Sequence, residues 1–246
     1  NQIKNNTSKE IIMMKPERLR AFSIESHLSG DIAKAEKGYK EFVSRGISDP
    51  DILSNYGLIC QETGRIEKAK SLYEKCISLF PNHPITYANL GYLYLSIGEI
   101  QKAEDTTRIA IKLDPKLANA YSTLGLIFKQ KENLVEAEHQ TRKALELEPS
   151  SVNYYINLGL ILKSQGDLDQ AEIMTEKAIK VQPNLADPYL NLGTILQDKG
   201  KLEEAEEVTR KALSLNPVLK HAHMNLGAIL KDLGRAKEAI IEVKKE

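Results

Sequence analysis

The chain has 246 residues and carries 34 Lys plus Arg against 34 Asp plus Glu, so its formal net charge is zero. That balance removes any global electrostatic case for nucleic acid or an anionic membrane. No apolar run approaches the roughly eighteen residues of a membrane span. The start shows no signal-peptide pattern, and its first residue is not a methionine. Two cysteines build no disulfide framework and point to a reducing, cytoplasmic setting.

In chain order, residues 1–15 read as a polar tail that begins a helix near Glu10, and the glycosylation sequons at Asn5 and Asn6 are weak matches within it. From Pro50 one pattern recurs every 34 residues, with copies starting at Pro50, Pro84, Ala118, Val152, Ala186 and Lys220. A fixed period of this size is the mark of a solenoid. The predicted units are 50–83, 84–117, 118–151, 152–185, 186–219 and an incomplete 220–246. Residues 16–49 read as a diverged helical hairpin that caps the array, because a terminal repeat meets water on one side. There Gly30, Ile32, Ala35 and Tyr39 match positions fifteen, seventeen, twenty and twenty-four of the later copies. Ser23 and Ser26 stand where the copies carry glycine and a large residue.

Within each copy the apolar residues recur at spacings of three and four, which is helical. Position eight is always glycine (Gly57, Gly91, Gly125, Gly159, Gly193, Gly227), and position twenty is always alanine (Ala69, Ala103, Ala137, Ala171, Ala205, Ala239). Glycine inside a helix costs roughly 1 kcal/mol against alanine, so its recurrence needs a packing reason. The small pair at eight and twenty is expected to let two helices approach closely. Gly98 marks the turn between the halves, and proline at position thirty-two (Pro81, Pro115, Pro149, Pro183, Pro217) stops the second helix. Each unit therefore reads as helix, short turn, helix, stop. Cys60 and Cys76 fall at core positions and read as buried small apolar residues.

Tyr at four, Leu at seven, Gly at eight, a large apolar residue at eleven, Ala at twenty and twenty-seven, and Pro at thirty-two resemble the tetratricopeptide repeat family. The resemblance covers residues 50–246. It implies an all-α, right-handed superhelical solenoid of antiparallel helix pairs. The main departure is position twenty-four, usually aromatic in the family and here Thr107, Thr141, Thr175 and Thr209.

No phosphate loop, nucleophile elbow or metal-spaced Cys/His cluster occurs. His221 and His223 are two apart and diverge on a helix. The chain is therefore expected to be no enzyme and to need no cofactor or metal. On the outer face, Glu104, Glu138 and Glu206 precede Arg108, Arg142 and Arg210 by four residues, which reads as a solvated, helix-supporting surface.

Position six carries the candidate site. It holds Asn55, Asn89, Thr123, Asn157, Asn191 and Asn225, which recur as a ladder on the first helices. Asparagine offers one acceptor and two donors, enough to bond the backbone of an extended peptide without reading its side chains. The same residue also bonds within repeats, so a structural role stays open. The ladder resembles that of the repeat superhelix in O-linked N-acetylglucosamine transferases. Stacked first helices of such repeats line a concave face, so the resemblance implies a peptide groove there. Tyr92, Leu126 and Leu160 at position nine complete the expected binding set. Lys129, Lys163 and Lys231 are the few groove cations. Repeats that clamp a chaperone's carboxylate tail need basic residues at positions two, five, six and nine, and these are missing. Single-stranded nucleic acid would want a basic, aromatic-studded groove.

The expected function is a non-catalytic scaffold that binds a protein or peptide segment, with no nucleic acid or membrane partner. Two alternatives come from other classes. The array is the targeting arm of a larger transferase, or it self-associates through its C-terminal end. At that end the last copy reaches only position twenty-seven, and Ile229, Leu233 and Ile240 are expected to face a next element.

Overall fold

The fixed start, turn and stop residues of each copy give two helices packed as a hairpin. The computed structural model describes residues 10–245, so Asn5, Asn6 and Glu246 lie outside the described residues. A helical turn over 10–13 is followed by α1 (Pro16–Leu28), α2 (Ile32–Ser44), α3 (Pro50–Glu62), α4 (Ile66–Leu79), α5 (Pro84–Ser96), α6 (Ile100–Leu113) and α7 (Ala118–Gln130). Then come α8 (Leu134–Leu147), α9 (Val152–Gln165), α10 (Leu168–Val181), α11 (Ala186–Asp198), α12 (Leu202–Leu215), α13 (Ala222–Asp232) and α14 (Ala236–Val243). No strand occurs among the described residues. Proline opens α1, α3 and α5, where its missing N–H costs no bond. The first helix of the sixth copy starts at Ala222, two residues later than the repeat register predicts. His221, in the left-handed region at φ 65°, delays it.

The turn at position fifteen also runs left-handed, as at Gly98 (φ 80°), and Glu132 is the one member of the series that is not glycine (φ 60°). An L-residue with a Cβ is disfavoured there by about 1–2 kcal/mol. Glu132→Gly is therefore expected to raise stability by up to about 1 kcal/mol after the added chain entropy of glycine is subtracted. Urea unfolding of the variant checks this, and a midpoint at or below the parent's contradicts it.

The chain forms two units, one ending at Thr123 and the other starting at Leu124, with the division inside α7. In the first unit α1/α2, α3/α4 and α5/α6 are the hairpins. Their core joins Leu19, Tyr39, Ile52, Leu53, Tyr56, Ile59, Tyr73 and Leu93. The diverged hairpin keeps the close helix approach by moving the glycine across the interface. A Cβ on Gly38 of α2 would lie 2.1 Å from the Ser23 hydroxyl of α1. Ser23 itself donates to the Leu19 carbonyl oxygen at 2.6 Å. Arg45 closes the turn at 10–13, donating to the carbonyl oxygens of Ile11, Ile12 and Met14 at 3.0, 2.8 and 2.6 Å. A polar chain ties three hairpins together. Arg20 of α1 pairs with Asp49 (2.8 Å) and Asp51 (2.5 Å), and Asp51 meets His83 Nε2 at 3.3 Å. Thr86 bridges His83 Nδ1 (2.7 Å) and Cys76 Sγ (3.2 Å). Cys60 and Cys76 are buried free thiols, and burial pushes both thiol pKa values up, so neither is an activated nucleophile.

In the second unit α9/α10, α11/α12 and α13/α14 are hairpins, with α8 against α9. Position twenty is fully buried in α8, α10 and α12 (Ala137, Ala171 and Ala205). The nearest neighbour of the glycine is nevertheless position twenty-four rather than twenty. A Cβ on Gly125 would lie 2.3 Å from Thr141 Oγ1 and 3.0 Å from the Ala137 carbonyl oxygen. The threonine that departs from the family pattern is thus the residue that fits against the glycine.

The glutamates at position twenty-one do more than support their own helices. Glu138, Glu206 and, in the first unit, Glu104 pair with the arginine four residues on. Glu104 is buried, so the expected solvated face is corrected at that position. Glu138 also accepts from Gln165 (3.1 Å) and Glu206 from Arg235 (2.6 Å), each on the following pair. Glu36 and Arg65 make the same link in the first unit. Glu172 receives Lys199 at 2.5 Å and Lys201 at 3.2 Å. The hydrogen bond from Lys199, more than that from Lys201, holds the Glu172 carboxyl below the usual glutamate value of 4.5 despite partial burial. A depressed folded-state pKa gives stability that is present above the unfolded value and lost as pH falls through the folded one. Glu172→Gln should therefore flatten the acid limb of the stability–pH curve below about pH 4.5. An unchanged acid limb in pH-dependent urea melts would contradict the link.

Candidate functional site

Neighbouring first helices touch one another: α3 with α5 in the first unit, and α9 with α11 and α11 with α13 in the second. The second helices make fewer such contacts. Each unit therefore carries its first helices side by side on one face, termed the inner face, and the position-six residues fall in a row along it.

In the first unit that row is used internally. Asn89 donates from Nδ2 to Ser54 Oγ at 3.1 Å. The buried Tyr39 hydroxyl is met by His27 Nδ1 at 3.0 Å, and burial pushes its pKa up to about 12 while the neighbouring Asn55 side chain opposes the shift. Thr123 turns inward and donates to the Asn119 carbonyl oxygen at 2.9 Å. Tyr92 is 49% exposed on the same face.

In the second unit the row is Asn157 on α9, Asn191 on α11 and Asn225 on α13, all half-buried. Among the described residues the side chains of Asn191 and Asn225 make no hydrogen bond, and both are part-exposed. Leu126 and Leu160 at position nine are half-buried beside them, and Ile156 and Leu190 at position five are likewise half-buried. The surface is thus mixed, with amide groups between apolar side chains. Lys129 of α7 is half-buried and pairs with no carboxylate among the described residues. Burial, and then the nearby Lys163, push its ammonium pKa down. Lys163 is itself held by Asp198 at 3.0 Å. Sequence reasoning named these lysines but missed that only one of the pair is neutralised, because Asp198 belongs to another helix.

The expected open C-terminal residues are corrected in part. Ile229 is fully buried against Leu192, Leu196 and Ala205, with Leu233 packed on that cluster, because α13 turns this side back onto α11 and α12. Ile240 is 58% exposed as expected. No three His, Cys, Asp or Glu residues stand together in a metal-holding group among the described residues. No helix among them is long and apolar enough to cross a membrane.

Tetratricopeptide repeat models match residues 49–113, 152–185 and 186–218, together more than half of the chain. The chain belongs to the tetratricopeptide repeat family. Tetratricopeptide repeats are protein-interaction scaffolds, and that coarse function applies to this chain. No curated protein matches it. Among solved structures it is similar to a chain of the APC/C hetero-tetramer Cut9–Hcn1, at 18% identity and a TM-score of 0.83, over 92% of this chain and 46% of that one. The chain thus spans less than half the length of that relative. A tetratricopeptide repeat protein from Parabacteroides merdae is 23% identical with a TM-score of 0.69, covering 94% and 91% of the two chains. MamA is 28% identical with a TM-score of 0.55, covering 65% of this chain and 94% of MamA. These likenesses place the fold of the tetratricopeptide repeats and leave the partner to the chemistry of the inner face.

Proposed function

We propose that the inner face of the second unit binds an extended segment of another protein, with Asn157, Asn191 and Asn225 bonding its backbone amides. The observation that supports this is the contrast along position six. Asn89 is occupied by Ser54 and Asn55 lies beside the Tyr39 hydroxyl, whereas Asn191 and Asn225 have no internal partner among the described residues. A half-buried amide without a partner forfeits hydrogen-bond energy that a bound backbone would restore. Leu160, Leu190 and Met224 flank the row and give alternate side chains of the segment apolar contact. A carboxylate on the segment would neutralise Lys129, which no carboxylate among the described residues does.

A displayed library of twelve-residue peptides selects binders for the test. Against a selected peptide, the Asn157, Asn191 and Asn225 to Ala triple variant should lose three backbone contacts of about 0.5–1.5 kcal/mol each, a weakening of roughly ten- to a thousandfold. The Asn55 and Asn89 to Ala double variant should lose stability and keep the peptide affinity. Unchanged binding by the triple variant would sink the proposal.

A further inference from the structure

In the second unit, position twelve of one first helix pairs with position thirteen of the next, 35 residues on. Lys163 of α9 binds Asp198 of α11 at 3.0 Å, and Gln197 of α11 donates to Asp232 of α13 at 2.6 Å. These rungs belong to the inner face, because position twelve continues the stripe of positions five and nine along each helix. The rung from α7 to α9 departs from the series. Lys129 stands at position twelve, but position thirteen of α9 is Ser164. Ser164 is exposed, and its hydroxyl donates to the Leu160 carbonyl oxygen of its own helix at 2.9 Å.

Two neighbouring ammoniums therefore share one carboxylate. Lys163 is near enough to act on Lys129, adding to burial in lowering its pKa, and Lys163 itself takes Asp198. Asp232 is engaged by Gln197. Asp187 stands at position two of α11, about 15 Å along the helix axis from position twelve. One half-buried positive charge is left on the stripe that carries Leu126 on α7. A segment lying on that stripe brings its own side chains up to Lys129, and a cationic one would face two ammoniums against a single carboxylate.

We infer that the segment bound on the inner face of the second unit carries an aspartate or glutamate that pairs with Lys129, supplying from outside the rung that Asp198 supplies to Lys163. The inference rests on the peptide-binding reading above and adds a side-chain preference to it. Asparagine amides bond any backbone, whereas an uncompensated ammonium selects among side chains. Ser164 is the residue that keeps this rung open to a partner.

The test uses the full 246-residue chain and twelve-residue peptides selected on it, resynthesised with amidated C-termini so that side chains supply the only carboxylates. The selected pool should be enriched in Asp or Glu at one register. Changing that residue to Asn or Gln should weaken binding at least about tenfold by fluorescence anisotropy at low salt. Ser164→Asp, which installs the internal partner, and Lys129→Gln, which removes the charge, should each weaken the acidic peptide by a similar factor. Both variants should bind the amide peptide as the parent does, since the loss is already taken. The Asn157, Asn191 and Asn225 to Ala variant should instead weaken the acidic and amide peptides alike. Selected peptides without an acidic residue, equal binding of the acidic and amide forms, or an acidic preference that survives Ser164→Asp and Lys129→Gln overturns the inference and leaves the backbone reading standing. A triple variant that binds both peptides like the parent, with the Lys129 effect intact, sinks the asparagine reading alone.

Discussion

Tyr73→Ala is expected to lose about 3–5 kcal/mol of unfolding free energy, the scale for emptying a fully buried aromatic site. Tyr73 lies in α4 with no exposed surface and belongs to the largest cluster of the first unit. Its ring takes the space that a side chain on Gly57 would fill, since a Cβ there would lie 2.4 Å from Cε1. Removing the ring leaves a void between α3 and α4 that backbone glycine cannot fill, and the lining atoms lose their dispersion contacts. The hydroxyl is a smaller matter. It donates to Gln61 Oε1 at 3.0 Å, and burial holds its pKa well above the usual tyrosine range. Tyr73→Phe keeps the ring and gives up that one bond, so it should cost about 1 kcal/mol. Urea unfolding of both variants, with m-values compared, separates cavity from hydrogen bond. Equal losses in the two variants would mean that the void collapses and that the ring does not hold α3 and α4 apart.

Position twenty-four is tyrosine here and threonine in Thr107, Thr141, Thr175 and Thr209, and this contrast shows what the sequence could and could not convey. Features that repeat at one position within one hairpin were legible: glycine at eight, alanine at twenty, proline at thirty-two, and the helix boundaries they imply. Features that depend on which neighbour lies across an interface were not. The glycine of the diverged hairpin is Gly38, on the opposite helix from its counterparts, and no count along the chain reveals that Ser23 faces it. The glutamates at position twenty-one read as surface because their arginine partners lie four residues away. Their second partners, Gln165 and Arg235, lie about 30 residues on and appear only when pairs stack. The asparagine row was legible as a row. That Asn89 is spent on Ser54 and Asn55 lies beside Tyr39 depends on side chains of the preceding copy that differ from copy to copy. Ile229 was misplaced for a related reason, because the side of α13 that carries it turns back onto α11 and α12.

The second large effect is expected at Ala137. Replacing it with leucine should destabilise the chain by about 1–3 kcal/mol through overpacking. Ala137 of α8 is fully buried, and its carbonyl oxygen lies 3.0 Å from where a Gly125 Cβ would be. That oxygen also accepts from Thr141 Oγ1 at 2.8 Å. Three more carbons at this point have to displace α7 or break that bond, and neither change is free in a close-packed interior. Gly125→Ala probes the same contact from the other helix with a smaller net loss. Its methyl would lie 2.3 Å from Thr141 Oγ1 and 3.0 Å from the Ala137 carbonyl oxygen, so the threonine has to turn away and give up its bond to Ala137, a loss offset in part by roughly 1 kcal/mol of helix propensity. The expected order of melting temperatures is parent, then Gly125→Ala, then Ala137→Leu. The consequence reaches the inner face, because α7 carries Leu126 and Lys129. A helix pushed outward by leucine should leave Lys129 more hydrated and raise its depressed pKa toward the ordinary lysine range. NMR titration of the lysine side chain reads that change directly. An Ala137→Leu variant that melts with the parent and leaves Lys129 unmoved would mean that the hairpin spacing is slack, and that the repeated glycine and alanine do not set where the inner face lies.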